Sequence, residues 1–387
     1  MYKNTLGYTF ALIVGFILFF TSSINAASVE TKRLSGKDRY QTCSEIVNEG
    51  WKSSDYAILV NGENFPDALS ASVLAKKYNA PILLTQKGSL DLNAENQLKR
   101  LNVKKVFIIG GPGVVSPLVE DKLHNISINV ERFYGADRNE TSIAVAKQIG
   151  TDNGIILTTD SDFTDALSVA PVAARLQMPI ILMPKDSVPV SVSSFIVGKN
   201  IPKTYVLGGN DLISDSVAFS FPNLYIIPGA DKYVRNTNIM DAFADNFNFD
   251  NAYIAYSEKF ADALSGSALA ALNGNPIILV GDKPSSVTKN FVLAKKLTKL
   301  NVLGGTAGIT QSTLDNLLDT TTPTSSEPST LSPNTSSGHG LIKGNINSKG
   351  EKIYHVPGGQ FYENTVPEAW FNTEEEAQAT GYRRSKK

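Results

Sequence analysis

The sequence predicts an α/β protein: three tandem modules, each a parallel sheet covered by helices, then an unstructured linker and a very small C-terminal α+β module. Three observations predict it. A hexapeptide recurs as Phe65-Pro-Asp-Ala-Leu-Ser70, Phe163-Thr-Asp-Ala-Leu-Ser168 and Phe260-Ala-Asp-Ala-Leu-Ser265, at intervals of 98 and 97 residues. Self-similarity at a long fixed period marks an array of like units rather than one large domain. Short apolar runs, Tyr56–Val60, Ile155–Thr158 and Ala252–Tyr256, precede the hexapeptides; near-continuous hydrophobicity is the pattern of a parallel strand buried on both faces. After Asp319 the composition shifts abruptly to Ser, Thr and Pro, which cannot bury enough apolar surface to fold.

Within each copy the landmarks keep one order. The openings read Ser35-Gly-Lys-Asp-Arg39-Tyr40, Gly135-Ala-Asp-Arg138-Asn139 and Gly229-Ala-Asp-Lys232-Tyr233. The hexapeptide starts an apolar helical stretch, and a strand follows it: Pro81-Ile-Leu-Leu84, Pro179-Ile-Ile-Leu182 and Pro276-Ile-Ile-Leu279. A glycine turn closes each copy, at Gly110-Gly111, Gly208-Gly209 and Gly304-Gly305, with Ser116, Ser214 or Thr310 six positions on as the expected helix N-cap. Strand and helix thus alternate as β-α-β-α-β-α, and right-handed crossovers fix the local topology. With no flexible linkers between them, the copies should dock as an arc or a closed triangle. The third copy departs most, with Lys232 in the arginine position and no apolar run like Val106–Ile109 before Gly304.

These landmarks divide the chain at 31–128, 129–223 and 224–318 for the modules, 319–338 for the linker and 339–387 for the tail. Residues 1–26 read as a secretory signal: Lys3, an apolar run from Leu6 to Phe20, then small residues, with cleavage expected after Ala26. A membrane anchor is the alternative, but the run falls short of the roughly 20 residues that span a bilayer. No later segment looks like a span. Across 387 residues the net charge is −1, with 42% hydrophobic and 19% charged residues, an ordinary globular balance with no field that favours a polyanion. The basic end Arg383–Lys387 is too short to release many counterions, which argues against nucleic acid. The single cysteine, Cys43, excludes an internal disulfide and reads as a small buried hydrophobe; its counterparts are Ser142 and about Asn238.

Candidate functional residues are those that recur. Asp67, Asp165 and Asp262 fall where a strand-end loop meets a helix, so each either satisfies free N–H groups of the first turn or contacts a ligand beyond the strand ends. Arg39, Arg138 and Lys232 are the recurring cations. They either pair with neighbouring acids between modules or contact phosphate or carboxylate on a polymer. The carboxylates have no partner acid or histidine at fixed spacing, which argues against general acid–base catalysis. The G-x-G in the first glycine turn does not recur, which removes a dinucleotide reading. His124, His339 and His355 have no companions at metal-ligand spacing.

The four landmarks, repeated three times behind a signal peptide from about Thr31 to Leu318, resemble the clostridial cell-wall-binding repeat of the type-2 family. The resemblance implies doubly wound α/β modules packed as a triangular pseudo-trimer. It also implies a secreted, non-catalytic protein held without cofactors at the cell surface on an anionic secondary wall polysaccharide or teichoic acid-like polymer of a Gram-positive bacterium. S-layer proteins are further implied partners. The tail, with Ile342-Lys-Gly-Asn-Ile346, Tyr354, Trp370-Phe371 and an expected helix at Glu374 to Thr380, resembles a small sunset-type module. Relatives place cysteines near positions taken here by Gly340 and Asn372, so no cross-link or thiolate site is expected. The rival readings are a wall hydrolase or nuclease-like enzyme with activity in the tail, His355 beside Glu351 being its candidate, and a soluble receptor, which would show two unequal lobes.

Overall fold

The computed structural model describes residues 29–320, 342–347, 350–356, 361–362, 365–371 and 374–385. The expected signal segment, almost all of the linker, and the positions of Gly340 and Asn372 lie outside the described residues.

The chain opens with β1 (Glu30–Leu34) and α1 (Arg39–Gly50). The first repeat continues as β2 (Tyr56–Asn61), a 3-10 turn over Pro66–Ser70, α2 (Ala71–Lys77), β3 (Ile82–Thr85), α3 (Leu92–Leu101), β4 (Lys105–Ile109) and α4 (Pro117–Asn125). The second repeat is β5 (Asn129–Phe133), α5 (Arg138–Ile149), β6 (Ile155–Thr159), α6 (Thr164–Leu176), β7 (Ile180–Met183), α7 (Val190–Ile196), β8 (Thr204–Leu207) and α8 (Asp215–Ala218). The third is β9 (Leu224–Ile227), α9 (Lys232–Ala242), β10 (Asn251–Tyr256), α10 (Ala261–Asn273), β11 (Ile277–Val280), α11 (Ser286–Lys295), β12 (Lys299–Leu303) and α12 (Gln311–Leu318). Each repeat therefore carries one strand more than the alternation predicts, ahead of its opening motif.

That extra strand joins a different sheet from the strands that follow it. The three all-parallel sheets have the orders β3-β2-β4-β5, β7-β6-β8-β9 and β11-β10-β12-β1. Strand β5 completes the first sheet, β9 the second, and β1 closes the circle by pairing Glu30–Leu34 with Lys299–Leu303 of the third repeat. The order is doubly wound. The chain moves outward from β2 to β3, then crosses back to β4, so the winding reverses between β2 and β4 and at the equivalent place in the other two sheets.

The opening motifs start helices for a local reason. Asp38, Asp137 and Asp231 adopt extended N-cap backbones, and their carboxylates accept from the N–H groups of Gln41, Glu140 and Tyr233. In the first two copies the helix side chain reciprocates: Gln41 Oε1 accepts from the Lys37 N–H and Glu140 Oε2 from the Ala136 N–H. Helices α2, α6 and α10 pack on one another at the centre. Their composition follows from that place: α6 is buried on all sides from Thr164 to Ala174, and α10 is buried almost throughout from Ala261 to Ala271. The third repeat forms its strand β12 although the sequence offers no uninterrupted apolar run. Leu300, Val302 and Leu303 are buried and carry Asn301 in with them.

The tail folds as a small mixed sheet, β15-β13-β14-β16, from β13 (Ile342–Ile346), β14 (Lys352–His355), β15 (Ala369–Phe371) and β16 (Arg383–Arg384), with α13 (Glu374–Ala379) where a helix is expected. Its core is Ile342, Tyr354, Phe371, Ala377 and Tyr382, and the Tyr354 hydroxyl donates to Glu374 at 2.7 Å. No described helix is long and apolar enough to cross a membrane.

Candidate functional site

The three hexapeptides meet. Phe65, Phe163 and Phe260 stand at the N-caps of the central helical segments, with ring centroids 5.2, 5.7 and 6.2 Å apart in tilted and edge-on contacts. Such pairs contribute about 0.5–1.5 kcal/mol beyond their burial. The triad marks a pseudo-threefold axis and gathers the loops after β2, β6 and β10 around it.

The aspartates lie two residues further on, in the first helical turn. Asp67 and Asp262 reach the switch-point crevice of their own sheets, where the glycine turn follows the neighbouring strand. Gly110 (φ +117°) and Gly304 (φ +95°) hold backbones that favour glycine. A Cβ on Gly110 would stand 3.2 Å from Oδ2 of Asp67, and one on Gly304 would press on Oδ2 of Asp262 closer than van der Waals contact permits. Two recurring motifs are thus halves of one arrangement: the glycine leaves the space the carboxylate fills. Burial raises both carboxyls above the ordinary range, with Thr141 and Arg138 drawing Asp67 back down and Arg39 and Lys259 doing the same for Asp262. Gly304→Ala is expected to lower stability by about 1–3 kcal/mol through backbone strain alone, with further loss from displacing Asp262. Urea melts against Gly305→Ala, where a Cβ meets open space, check it.

The cations come from the next repeat. The Arg138 guanidinium, at the start of α5, donates to the Asp160 carbonyl at 2.6 Å and lies within the field of Asp67. Arg39, at the start of α1, donates to the Gly62 carbonyl, lies 5.9 Å from the centre of the Phe260 ring and acts on Asp262. Neither arginine makes an ion pair within 4 Å among the described residues, so the expected ion pairs between modules are proximities rather than contacts. Lys232 instead bonds Glu258 at 2.5 Å.

The remaining aspartate is held differently. Asp165 is fully buried, and both its oxygens lie 2.8 Å from Nε of Arg235. Burial pushes its carboxyl up to about 6, with the Arg235 guanidinium pulling the other way. Arg235 escapes a comparison of the repeats because its counterparts, four residues beyond the capping aspartate, are Thr42 and Thr141. The only available signal is its departure from the pattern. None of the three aspartates has a hydrogen bond to a free N–H of its own helix; the capping belongs to Asp38, Asp137 and Asp231.

Two further sets support the crevices. Arg33 on β1 donates to the Gly304 and Ile309 carbonyls at 2.8 Å each, and Arg132 on β5 donates to the Gly110 carbonyl at 2.6 Å while pairing with Glu120. Ile226 takes that place on β9. Cys43 is buried, as expected, and its thiol is pushed up to about 12 by burial, which leaves it inert as a nucleophile. Its third counterpart is Asn236 rather than Asn238. Ser142 Oγ and Asn236 Oδ1 accept from the N–H groups of Leu182 and Leu279, at 3.1 and 3.0 Å, whereas Asn238 turns to the Pro228 carbonyl. Ser116, Ser214 and Thr310 all hold N-cap backbones, but only the Thr310 hydroxyl accepts a capping bond, from the Thr313 N–H. In the tail, His355 bonds Asn345 at 3.0 Å, and its sequence neighbour Glu351 pairs with Arg383. Among the described residues no carboxylate bonds the imidazole.

Comparison with known proteins agrees with this architecture. A family model described as cell wall binding domain 2 matches residues 33–120, 132–218 and 226–314, and one described as ArfC matches 320–384. The chain is 29% identical over 297 residues to N-acetylmuramoyl-L-alanine amidase LytC of Bacillus subtilis (strain 168), covering 76% of this chain and 59% of that protein. It is 33% identical over 294 residues to the amidase enhancer of the same organism, covering 75% and 40%. Among solved structures, Cwp6 and Cwp8 from Clostridium difficile share the fold with TM-scores of 0.69 and 0.68, at 29% and 27% identity. Each similarity covers 75% of this chain, and 47% and 51% of those chains. The chain spans 59% and 40% of the length of these curated relatives.

Proposed function

The chain belongs to the cell wall binding domain 2 family, and from this we propose that it attaches an exported protein, without covalent linkage, to an anionic secondary polymer of a Gram-positive wall. The observation that carries the reading is the convergence of three like strand-end loops on the Phe65, Phe163 and Phe260 triad, which sets three junctions around one axis on a single body. Asp67, Asp262, Arg39 and Arg138 are the proposed polymer contacts, whereas Asp165, fully buried against Arg235, and Lys232, bonded to Glu258, mark the third junction and are not among them. Weak sites so arranged raise one another's effective concentration, and avidity can exceed single-site affinity by roughly 10²–10⁴.

In this reading the repeats at 31–128, 129–223 and 224–318 are the binding units, the segment from 339 to 387 is a separate module, and S-layer proteins are neighbours on the same wall. The test is sedimentation of the purified mature chain with walls before and after extraction of the secondary polymer. Retention is expected on intact walls only, falling as salt rises because exposed charge contacts are screened. Equal binding to extracted walls would remove the reading.

A further inference from the structure

The three junctions are built from the same motif and do not end in the same state of charge. At the junction of Asp67 with Arg138, and at that of Asp262 with Arg39, the guanidinium spends one donor on a backbone carbonyl and makes no ion pair with any described residue. Thr141 and Thr42 occupy the position four residues past the cap, and each hydroxyl accepts from the opening glycine, at 3.1 and 3.0 Å. Each junction therefore keeps an arginine with unused donors beside a carboxylate that burial inclines toward its neutral form. At the remaining junction both cations are neutralised. Arg235 fills the threonine position and is bound to the fully buried Asp165. Lys232 is bound to Glu258, whose carboxylate also accepts from the Ser257 hydroxyl. The carboxylate has also left its glycine: a Cβ on Gly208 would meet Leu212 rather than Asp165.

We propose that the array is bivalent: the junctions headed by Arg39 and Arg138 take anionic groups of the polymer, while Arg235 and Glu258 close the third. This rests on the wall-polymer reading and narrows it. A guanidinium with free N–H groups matches phosphate or carboxylate in a paired geometry, whereas an ammonium already bonded to a carboxylate must give up that partner before it can bind another anion. Pseudo-symmetry thus sets three positions, and one is removed by Arg235 in the threonine position together with the Lys232–Glu258 pair; the counterpart of Glu258 in the first repeat, Glu63, makes no ion pair with Arg39 among the described residues.

Retention of the full exported chain on intact walls, read as bound fraction against protein concentration, tests this. Arg39→Ala and Arg138→Ala are each expected to weaken retention at least about tenfold, because each abolishes half of a two-armed attachment. Lys232→Ala should cost no more than about twofold on the same argument. Glu258→Gln, which frees Lys232, should strengthen retention. Thermal melts accompany every variant. Where Arg39→Ala or Arg138→Ala melts early, the Lys and Gln replacements at that position separate charge from packing, since only Lys should restore binding. A loss for Lys232→Ala equal to that of the arginine variants would overturn bivalency and leave wall binding standing. So would unchanged retention in both arginine variants. A wild-type chain that is not retained would instead sink the wall reading, and this inference with it.

Discussion

Deleting Glu30–Leu34 is expected to strip hydrogen-exchange protection from the third sheet while leaving the first sheet protected. The segment is the outer strand beside β12, in register from Glu30 with Lys299 to Leu34 with Leu303. Its loss removes the burial of Leu34, worth about 1.5–3 kcal/mol. It also removes the two bonds from the Arg33 guanidinium to the Gly304 and Ile309 carbonyls, hydrogen bonds to a charged group that each contribute about 1.5–3 kcal/mol. Together these are a large share of the roughly 5–15 kcal/mol that stabilises a domain. The deletion further bares β12 as an open edge, which invites association between copies. Exchange read by mass spectrometry should show the loss over 251–318 and retention over 56–109. Unaltered protection in β12 would show that the strand is dispensable.

Asp165→Ala should cost about 3–5 kcal/mol, because it leaves the Arg235 charge buried without its partner. The size follows from burial on both sides: Asp165 is fully enclosed and Arg235 is 6% exposed, so solvent cannot take over the role of the carboxylate. The loss belongs to the unpaired charge and not to the bond alone. A double variant, Asp165→Ala with Arg235→Met, which removes both charges and leaves no buried polar group unpaired, should therefore recover most of it. Urea unfolding of the parent, the single and the double variant reads the difference. A double variant as unstable as the single one would place the cost in packing instead. Because the pair joins α6 of the second repeat to α9 of the third, the single variant should also loosen that junction before the other two.

Much of this architecture is legible in the residues, because the hexapeptide, the glycine turn and the apolar strands are local patterns repeated at one interval. Periodicity identifies β2, β6 and β10 and the helices that follow them, and it places Asp67 and Asp262 at the strand ends where the crevices form. It is silent on where β1, β5 and β9 pair. Partner choice between sheets is a long-range matter, and a strand such as Glu30–Leu34, with Lys32 and Arg33 in the middle, has no apolar alternation to announce it. Arg235 is invisible for a related reason: reading by similarity favours what the copies share, and this arginine matters because the other copies lack it. The same bias displaces the counterpart of Cys43 by two residues, since an Asn and a Cys can donate to equivalent backbone carbonyls, those of Ile277 and Ile82, without resembling each other.

The return of the first strand to the last sheet also limits how such a chain can grow. In open arrays a duplicated unit simply stacks on its neighbour, and length varies freely until a terminal unit stops it. Here the outer position of the third sheet is already taken by Glu30–Leu34, and the axis is filled by three phenylalanines. A fourth copy would have no edge to join, and a lost copy would leave one strand without a sheet. The ring therefore closes at three copies, and the tail strands β13 to β16 build a sheet of their own.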